Sequence, residues 1–98
     1  MEKRTIHYNL PMVHRLLSEN KVRVTKTALS GAAELGCDYD DMLNVVSNLT
    51  RKDFYKSMTT HADHTIWQDV YRPKTRFGTI YLKLTVIDEV LIVSFKEL

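Results

Sequence analysis

Two kinds of spacing between apolar residues divide this chain into a helical first half and a second half rich in strands. Up to residue 50, apolar residues recur every three or four positions, which is the spacing of a helix with one buried face. From residue 65 onward they alternate with polar residues, which is the spacing of a half-buried strand. The pattern therefore predicts an α+β fold, in which a small antiparallel β-sheet packs against N-terminal helices.

Capping residues predict where the helices of the first half begin and end. Asn9 caps a first helix that has Pro11 in its first turn. A second helix spans residues 25–35 and stops at Gly36, and a third begins after Asp38. The residues expected to face inward are Leu10, Val13, Leu16 and Leu17 on the first helix, Leu29, Ala32 and Ala33 on the second, and Met42, Val45, Val46 and Leu49 on the third.

Residues 22–25 and 50–53 carry shorter local signals. The first segment is rich in β-branched residues and alternates, so it predicts an edge strand. The second, Thr-Arg-Lys-Asp, has the form of a capping box, which predicts a short helical turn carrying Phe54 to Ser57.

The clearest strands are residues 79–87 and 90–96, which only Asp88 and Glu89 separate. So short a connection predicts an antiparallel hairpin. With the turn centred between those two residues, the predicted pairs are Leu82 with Phe95, Leu84 with Val93 and Val86 with Leu91 on the core face, and Tyr81 with Lys96 on the opposite face.

Residues 65–72 predict a third strand beside this hairpin. If the loop to the next strand also contains an even number of residues, Gln68 and Arg72 share the face of Tyr81 and Lys96. Trp67 then turns toward the core. The alternation is less clean here, because Asp69 would point inward and Val70 outward.

Composition adds limits on size and location. The 98 residues suit one domain, 1–98, and the formal net charge of +2 is by itself a weak argument for nucleic acid. Cys37 is the single cysteine, which excludes an internal disulfide and indicates a reducing compartment. No apolar run approaches the roughly 20 residues of a membrane span, and no signal-peptide core follows Met1, so we expect a cytoplasmic protein.

Residues 53–73 concentrate groups that bind phosphate, stack on bases and carry protons. Cleaving RNA without a metal requires activation of the ribose 2′-hydroxyl, charge stabilisation at phosphorus and protonation of the leaving 5′-oxygen. Lysine and arginine can stabilise the charge, and a glutamine can orient the substrate. A tyrosine, or a lysine with a lowered pKa, can carry the proton. Strand parity brings Gln68, Tyr81 and Lys96 toward one site on three adjacent strands, and Lys56 reaches it from the preceding segment.

Several side chains of this region have plainer interpretations. Tyr55, Trp67 or Tyr71 could stack on bases if exposed, but a tryptophan is more often core, and Tyr71 suits either place. The cations Lys74, Arg76 and Lys83 are interpreted as solvated surface charges. His61 and His64 could ligate a metal, but no second cluster of ligands accompanies them, so we expect neither a metal nor another cofactor.

At these residues the sequence resembles the MqsR family of bacterial toxins, which are ribonucleases with a RelE-like fold. The resemblance covers nearly the whole chain. It rests on DFYKSMTT (53–60), DHTIWQDVYRP (63–73), IYLKLTVI (80–87) and VLIVSFKE (90–97), with the start MEKRT and the segment ALSGAAELGCDYDDM (28–42). The segment Ile6–Asn20 diverges more, which leaves partner specificity open.

The resemblance implies a metal-independent endoribonuclease, an mRNA interferase, that cleaves mRNA at sites containing GC. It also implies inhibition by a cognate MqsA-type antitoxin, a separate zinc-containing, DNA-binding protein, whereas the toxin alone is not expected to bind DNA. The family's catalytic positions fall on Lys56, Gln68, Tyr81 and Lys96. Positions that line the same site and bind RNA fall on Tyr55, Met58 and Arg72.

Three hypotheses follow, and the leading one is a sequence-selective endoribonuclease toxin. The second is a non-catalytic module that binds RNA or another protein, which would bind RNA without cleaving it. The third, a metal-dependent hydrolase built on His61 and His64, has the least support.

Overall fold

The computed structural model describes residues 1–98 and contains three helices and seven strands. The helices are α1 (Leu10–Ser18), α2 (Lys26–Glu34) and α3 (Tyr39–Ser47), and a 3₁₀ turn covers Arg51–Asp53. The strands are β1 (Glu2–Lys3), β2 (Val22–Val24), β3 (Phe54–Thr59), β4 (Trp67–Tyr71), β5 (Lys74–Thr75), β6 (Gly78–Ile87) and β7 (Glu89–Glu97). The predicted α+β class is confirmed. No helix has the length and apolar character needed to cross a membrane.

The sheet runs in the order β1-β3-β4-β6-β7-β2, and the short β5 pairs with β6 outside this path. Every pairing is antiparallel except that of β2 with β7, which is parallel. The predicted edge strand at residues 22–25 is confirmed as β2, which ends the sheet on one side. The N-terminal β1, which the sequence pattern did not predict, ends it on the other side.

Side chains cap the helices as predicted. The Asn9 side chain accepts a hydrogen bond from the backbone N–H of Met12 at 2.8 Å. Asp38 accepts from the N–H of Asp41 at 2.8 Å, and the Asp41 carboxylate accepts from the N–H of Asp38 at 3.0 Å, which completes a capping box. The predicted inward faces of α1 and α3 are confirmed, because all eight of their apolar residues named above are buried.

The predicted inward face of α2 is partly wrong. Ala32 is buried, but Leu29 is 42% exposed and Ala33 is exposed, whereas Ala28 is fully buried. The reason is a close approach to β7: a Cβ added to Gly31 would lie 2.1 Å from the carbonyl oxygen of Phe95. Only the face with the smallest side chains can pack this near a backbone.

Helix α2 covers the part of β7 that β2 does not reach. Strand β2 pairs with residues 90–92 of β7 and then ends. Thr25 continues the contact, donating its N–H to the carbonyl of Ile92 at 3.0 Å and its hydroxyl to that of Val93 at 2.9 Å. The edge of the sheet is thereby shielded from pairing with another chain.

All three helices contribute to one hydrophobic core on one face of the sheet. The sheet residues in this core are Tyr71, Ile80, Leu82, Leu84, Val90, Ile92 and Phe95. The opposite face of the sheet carries no helix, and we call it the open face.

The register of the β6–β7 hairpin differs from the prediction at its turn. Leu82 pairs with Phe95 and Tyr81 with Lys96, as predicted, but Leu84 pairs with Ile92. The predicted pairs Leu84–Val93 and Val86–Leu91 are therefore wrong. Two features cause this: the chain reverses at Asp88, whose φ is +64°, and the register shifts by one residue beyond Lys83. The bulge places Val90 and Ile92 in the core and restores the predicted register near the chain end.

The predicted helical turn at residues 54–57 is also wrong. The capping box forms, with the N–H of Thr50 donating to the Asp53 carboxylate at 2.9 Å, but it encloses only the 3₁₀ turn. Residues Phe54–Thr59 then form β3, which pairs with β1 on one side and β4 on the other. Hydrogen bonds to two strands distant in sequence outweigh the local helical signal.

Candidate active site on the open face

Strand pairing arranges polar side chains of four strands in rows across the open face. The central row consists of Lys56 on β3, Val70 on β4, Lys83 on β6 and Ser94 on β7, each the direct partner of the next. On one side of it lie Tyr81 and Lys96, and on the other Met58 and Gln68. Successive rows are two residues apart along the strands, about 7 Å.

Tyr81 and Lys96 are neighbours on the open face. They are direct cross-strand partners, and the Lys96 ammonium nitrogen lies 5.2 Å from the centre of the Tyr81 ring. A phenol and an ammonium group at this separation can reach the same phosphate. Lys56 lies in the adjacent row.

Gln68 shares the open face but lies at the other end of the site. It pairs with Met58 and is two rows from the Tyr81–Lys96 pair, about 14 Å along the strand direction. The fold therefore brings Lys56 close to Tyr81 and Lys96, whereas Gln68 and Met58 lie at the far border of the site.

Tyr55 stands at the rim of the open face, because a bulge in β3 interrupts the register between Phe54 and Lys56. The guanidinium carbon of Arg72 lies 3.5 Å from the centre of its ring, and that of Arg4 lies 5.1 Å away. The neighbouring Arg4, followed by Arg72, lowers the pKa of the Tyr55 phenol. Tyr55 and Arg72 together form a cationic, aromatic platform of the kind that holds a nucleotide.

The charges of the open face are mostly positive. The Lys56 ammonium donates a hydrogen bond to Glu2 at 2.5 Å, and this contact raises the pKa of Lys56. Lys83 behaves differently: partial burial, followed by the charges of Lys96 and Lys56, lowers its pKa. A surface with several cations and one engaged carboxylate suits a polyanion.

Lys83 is the residue that the sequence interpretation missed. It is not a solvated surface charge, because it is half-buried in the centre of the cationic row. Strand parity contained the signal, since Lys83 lies two residues from Tyr81 and so shares its face. Lys74 and Arg76 are exposed, as predicted, and Arg76 donates to the Asp41 carboxylate at 2.9 Å.

Val70 and Asp69 explain the irregular pattern of β4. Val70 points to the open face yet is fully buried, because the long side chains of its row partners Lys56 and Lys83 flank it. Asp69 points inward and is fully buried, and its carboxylate accepts a hydrogen bond from the N–H of Tyr8 at 2.9 Å. The inward carboxylate thus anchors the N-terminal segment, residues 1–9.

Trp67 and Tyr71 are unavailable as stacking platforms. Trp67 lies on the same face as Asp69 and is half-buried under the N-terminal segment. The His7 ring stacks on it with the ring centres 5.3 Å apart, and the Lys3 ammonium nitrogen lies 4.2 Å from the Trp67 ring centre. Tyr71 is fully buried and packs edge-to-face on Phe54 at 5.5 Å. Of the three aromatic candidates, Tyr55 alone borders the open face.

The histidine-rich loop belongs to no cluster of metal-ligating side chains. His61 and His64 are exposed in the connection between β3 and β4. The chain contains no group of three or more His, Cys, Asp or Glu side chains that could hold a metal ion. The hypothesis of a metal-dependent hydrolase therefore has no geometric support.

A groove extends the site beyond Lys96. It has a volume of about 420 Å³ and runs between β7 and the outer side of α2. Its lining is polar apart from Gly31, and consists otherwise of Lys26, Thr27, Ser30, Lys96 and the acidic Glu34. The groove offers a path for a nucleic-acid chain whose phosphate is bound at Lys96.

Two comparisons with known proteins bear on this site. The profile of a family described as "Motility quorum-sensing regulator, toxin of MqsA" matches residues 5–97. The mRNA interferase toxin MqsR of Escherichia coli (strain K12) is 60% identical to the chain over 97 residues, which cover 99% of each protein.

Proposed function

Because the chain belongs to the MqsR toxin family, we propose that it is an endoribonuclease that cleaves mRNA without a metal ion. The observation that carries this proposal is the Tyr81–Lys96 pair beside Lys56 on an open, cationic face. The residues 1–98 act as one ribonuclease domain, and mRNA as the substrate places its action in the cytoplasm.

The reaction is an attack of the ribose 2′-oxygen on the adjacent phosphorus. A bond forms between the 2′-oxygen and phosphorus, the bond from phosphorus to the 5′-oxygen breaks, and that oxygen takes up a proton. The products are a 2′,3′-cyclic phosphate and a 5′-hydroxyl. Lys56 and Lys96 neutralise the charge that develops on the phosphate, and Tyr81 carries the proton to the leaving oxygen.

The remaining site residues bind the RNA on either side of the reacting phosphate. The Tyr55–Arg72 platform holds one nucleotide by stacking and charge. Gln68 orients a neighbouring nucleotide through its amide, with Met58 packing beside it, because both lie two rows from Tyr81. Contacts of this kind would supply a preference for sites that contain GC.

A cognate antitoxin controls this activity. The family description names the toxin's partner as MqsA. We expect a separate MqsA-type antitoxin, zinc-containing and DNA-binding, to neutralise the toxin, whereas the toxin alone does not bind DNA. The open face is a sheet surface, so it presents no helix that could enter a DNA groove and contact the bases.

End-group analysis of cleaved mRNA tests the proposal. Purified protein in excess EDTA should release fragments with 2′,3′-cyclic phosphate and 5′-hydroxyl ends. Tyr81→Phe and Lys96→Ala should fold normally and lose at least about 100-fold in rate. Lys74→Ala, which changes an exposed lysine on β5, should cleave as the wild type does.

Three results would contradict this assignment. Loss of cleavage in EDTA would show that a metal takes part. Normal cleavage by the folded Tyr81 and Lys96 variants would remove these residues from the mechanism. RNA binding without any cleavage, with an affinity that falls steeply with salt, would identify a non-catalytic RNA-binding module instead.

A further inference from the structure

The proposed reaction needs a group that removes the proton from the ribose 2′-hydroxyl. A cation that stays protonated cannot do so, and the proposed role of Tyr81 is to deliver a proton, not to accept one. The Glu2 carboxylate is engaged with Lys56 at the exposed rim. None of these groups is therefore free to act as the base.

Lys83 occupies the centre of the open face. In its row it lies between Val70 of β4 and Ser94 of β7, and Tyr81 is two residues along the same strand on the same face. Lys83 is half-buried and makes no ion pair, and its ammonium has no hydrogen-bond partner within the chain.

The groups facing Lys83 favour its neutral form. From β3 comes the cation Lys56, from β7 the cation Lys96, and from β6 itself the phenol Tyr81. The direct partner of Lys83 on β4 is the apolar Val70, and no carboxylate of β4 lies on the open face. No carboxylate compensates these charges, since Glu2 is bound to Lys56. Less water and two like charges destabilise an ammonium, so the pKa of Lys83 is lowered.

The other two lysines of the site differ from Lys83 in one respect each. Lys56 has the Glu2 carboxylate as a partner, which raises its pKa and keeps it charged. Lys96 is exposed to water at the end of β7. The three amines are therefore suited to different tasks, with Lys56 and Lys96 placed to bind the phosphate.

We propose that Lys83 is the general base of the cleavage reaction. The neutral amine takes the proton of the 2′-hydroxyl, the 2′-oxygen bonds to phosphorus, and the bond to the 5′-oxygen breaks as Tyr81 protonates that oxygen. Lys83 ends as the ammonium and Tyr81 as the phenolate, and proton exchange with water restores both. This inference rests on the proposed ribonuclease function.

The pH dependence of kcat/KM tests this role, because it reports the titration of the free enzyme. With a short RNA containing one GC site, in EDTA, the wild-type rate should rise tenfold per pH unit and level off at a pKa below the ordinary lysine value. Lys83→Met and Lys83→Arg should each lower kcat/KM at least about 100-fold and abolish this rise. Arginine restores the charge but cannot release its proton near neutral pH.

Two further variants serve as controls. Lys74→Met removes an exposed lysine in the same way and should leave both rate and pH profile unchanged. Tyr55→Phe should weaken substrate binding but keep the rise with pH, although the pKa of Tyr55 is also lowered. If Tyr55→Phe abolishes the rise, Tyr55 is the base and the proposal for Lys83 is wrong.

Direct titration of the wild-type protein gives a second test that needs no variant to fold. The lysine side chains are labelled with ¹³C at Cε, and their NMR shifts are followed with pH. Lys83 should titrate below the other lysines, and titration together with them would overturn the proposal, as would full activity of Lys83→Arg. If the wild type cleaves but Lys83→Met cleaves equally well, only this inference fails. If the wild type does not cleave at all, the proposed function itself fails.

Discussion

Tyr71 and Tyr8 carry the same phenol in opposite surroundings, so one substitution should have opposite effects on stability. Tyr71 is fully buried, packs on Phe54, and has a hydroxyl without any hydrogen-bond partner. The Tyr8 hydroxyl donates to the carbonyl oxygen of Trp67 at 3.0 Å. Replacing either tyrosine by phenylalanine removes one oxygen atom and leaves the ring in place.

The two effects can be sized from these contacts. Leaving a buried polar group unpaired costs about 1–3 kcal/mol, part of which is offset by the packing that the oxygen provides. We therefore expect Tyr71→Phe to raise the free energy of unfolding by about 1 kcal/mol. Tyr8→Phe loses a net hydrogen bond and should lower it by about 1 kcal/mol. For a domain of this length, each change corresponds to a shift in Tm of about 4–8 °C.

The effect of Tyr71 should also depend on pH. Burial, followed by the charges of Asp69 and Asp53, raises the pKa of Tyr71 far above its ordinary value. The unfolded chain releases this proton near pH 10 while the folded protein retains it, so the contribution of Tyr71 is complete below about pH 10. Above that pH, wild-type stability should fall by about 1.4 kcal/mol per pH unit from this group alone. Tyr71→Phe lacks the titrating phenol, so the difference between its free energy of unfolding and that of the wild type should increase above this pH.

Urea unfolding followed by far-ultraviolet circular dichroism, at about pH 7.5 and pH 11, measures both effects. Equal slopes in urea for the three proteins would show that the substitutions leave the unfolded state unchanged. A Tyr71→Phe protein that is less stable than the wild type would mean that the hydroxyl has a partner. An advantage that stays constant between the two pH values would refute the raised pKa.

Three other substitutions probe separate parts of the structure. Gly31→Ala places a methyl group against the carbonyl oxygen of Phe95 and should lower the free energy of unfolding by about 1–3 kcal/mol in urea; wild-type stability would show that α2 can shift freely. Asp69→Asn weakens the anchor of the N-terminal segment, so the free energy of unfolding should fall by about 1.5–3 kcal/mol and the tryptophan emission should shift to the red. An unchanged emission spectrum would contradict this anchoring. Glu2→Gln removes the ion pair with Lys56 and should lower the Kd for RNA several-fold, as measured by fluorescence anisotropy. An unchanged Kd would show that Glu2 does not compete with RNA for Lys56.

The prediction of the Tyr81–Lys96 pair shows how a local argument can succeed for an incomplete reason. The predicted turn was centred one half-residue too late, since the chain reverses at Asp88. The bulge beyond Lys83 shifts the register by one residue in the opposite direction, and the two deviations cancel before the strands reach Tyr81. Alternation in β6 identified the correct faces, but it contained no signal for the bulge.

The sequence by itself determined the features that depend on neighbouring residues. Asn9 and Asp38 cap helices because their oxygens reach N–H groups three residues away, and the alternation of β6 separates its two faces. The tertiary structure alone decided that residues 54–59 form a strand, because their hydrogen bonds go to β1 and β4. It also decided the fate of Lys83: parity placed it beside Tyr81, but its partial burial and its two cationic neighbours arise only when four strands assemble. Desolvation and charge repulsion depend on what surrounds a group in space, and this information is absent from local spacing along the chain.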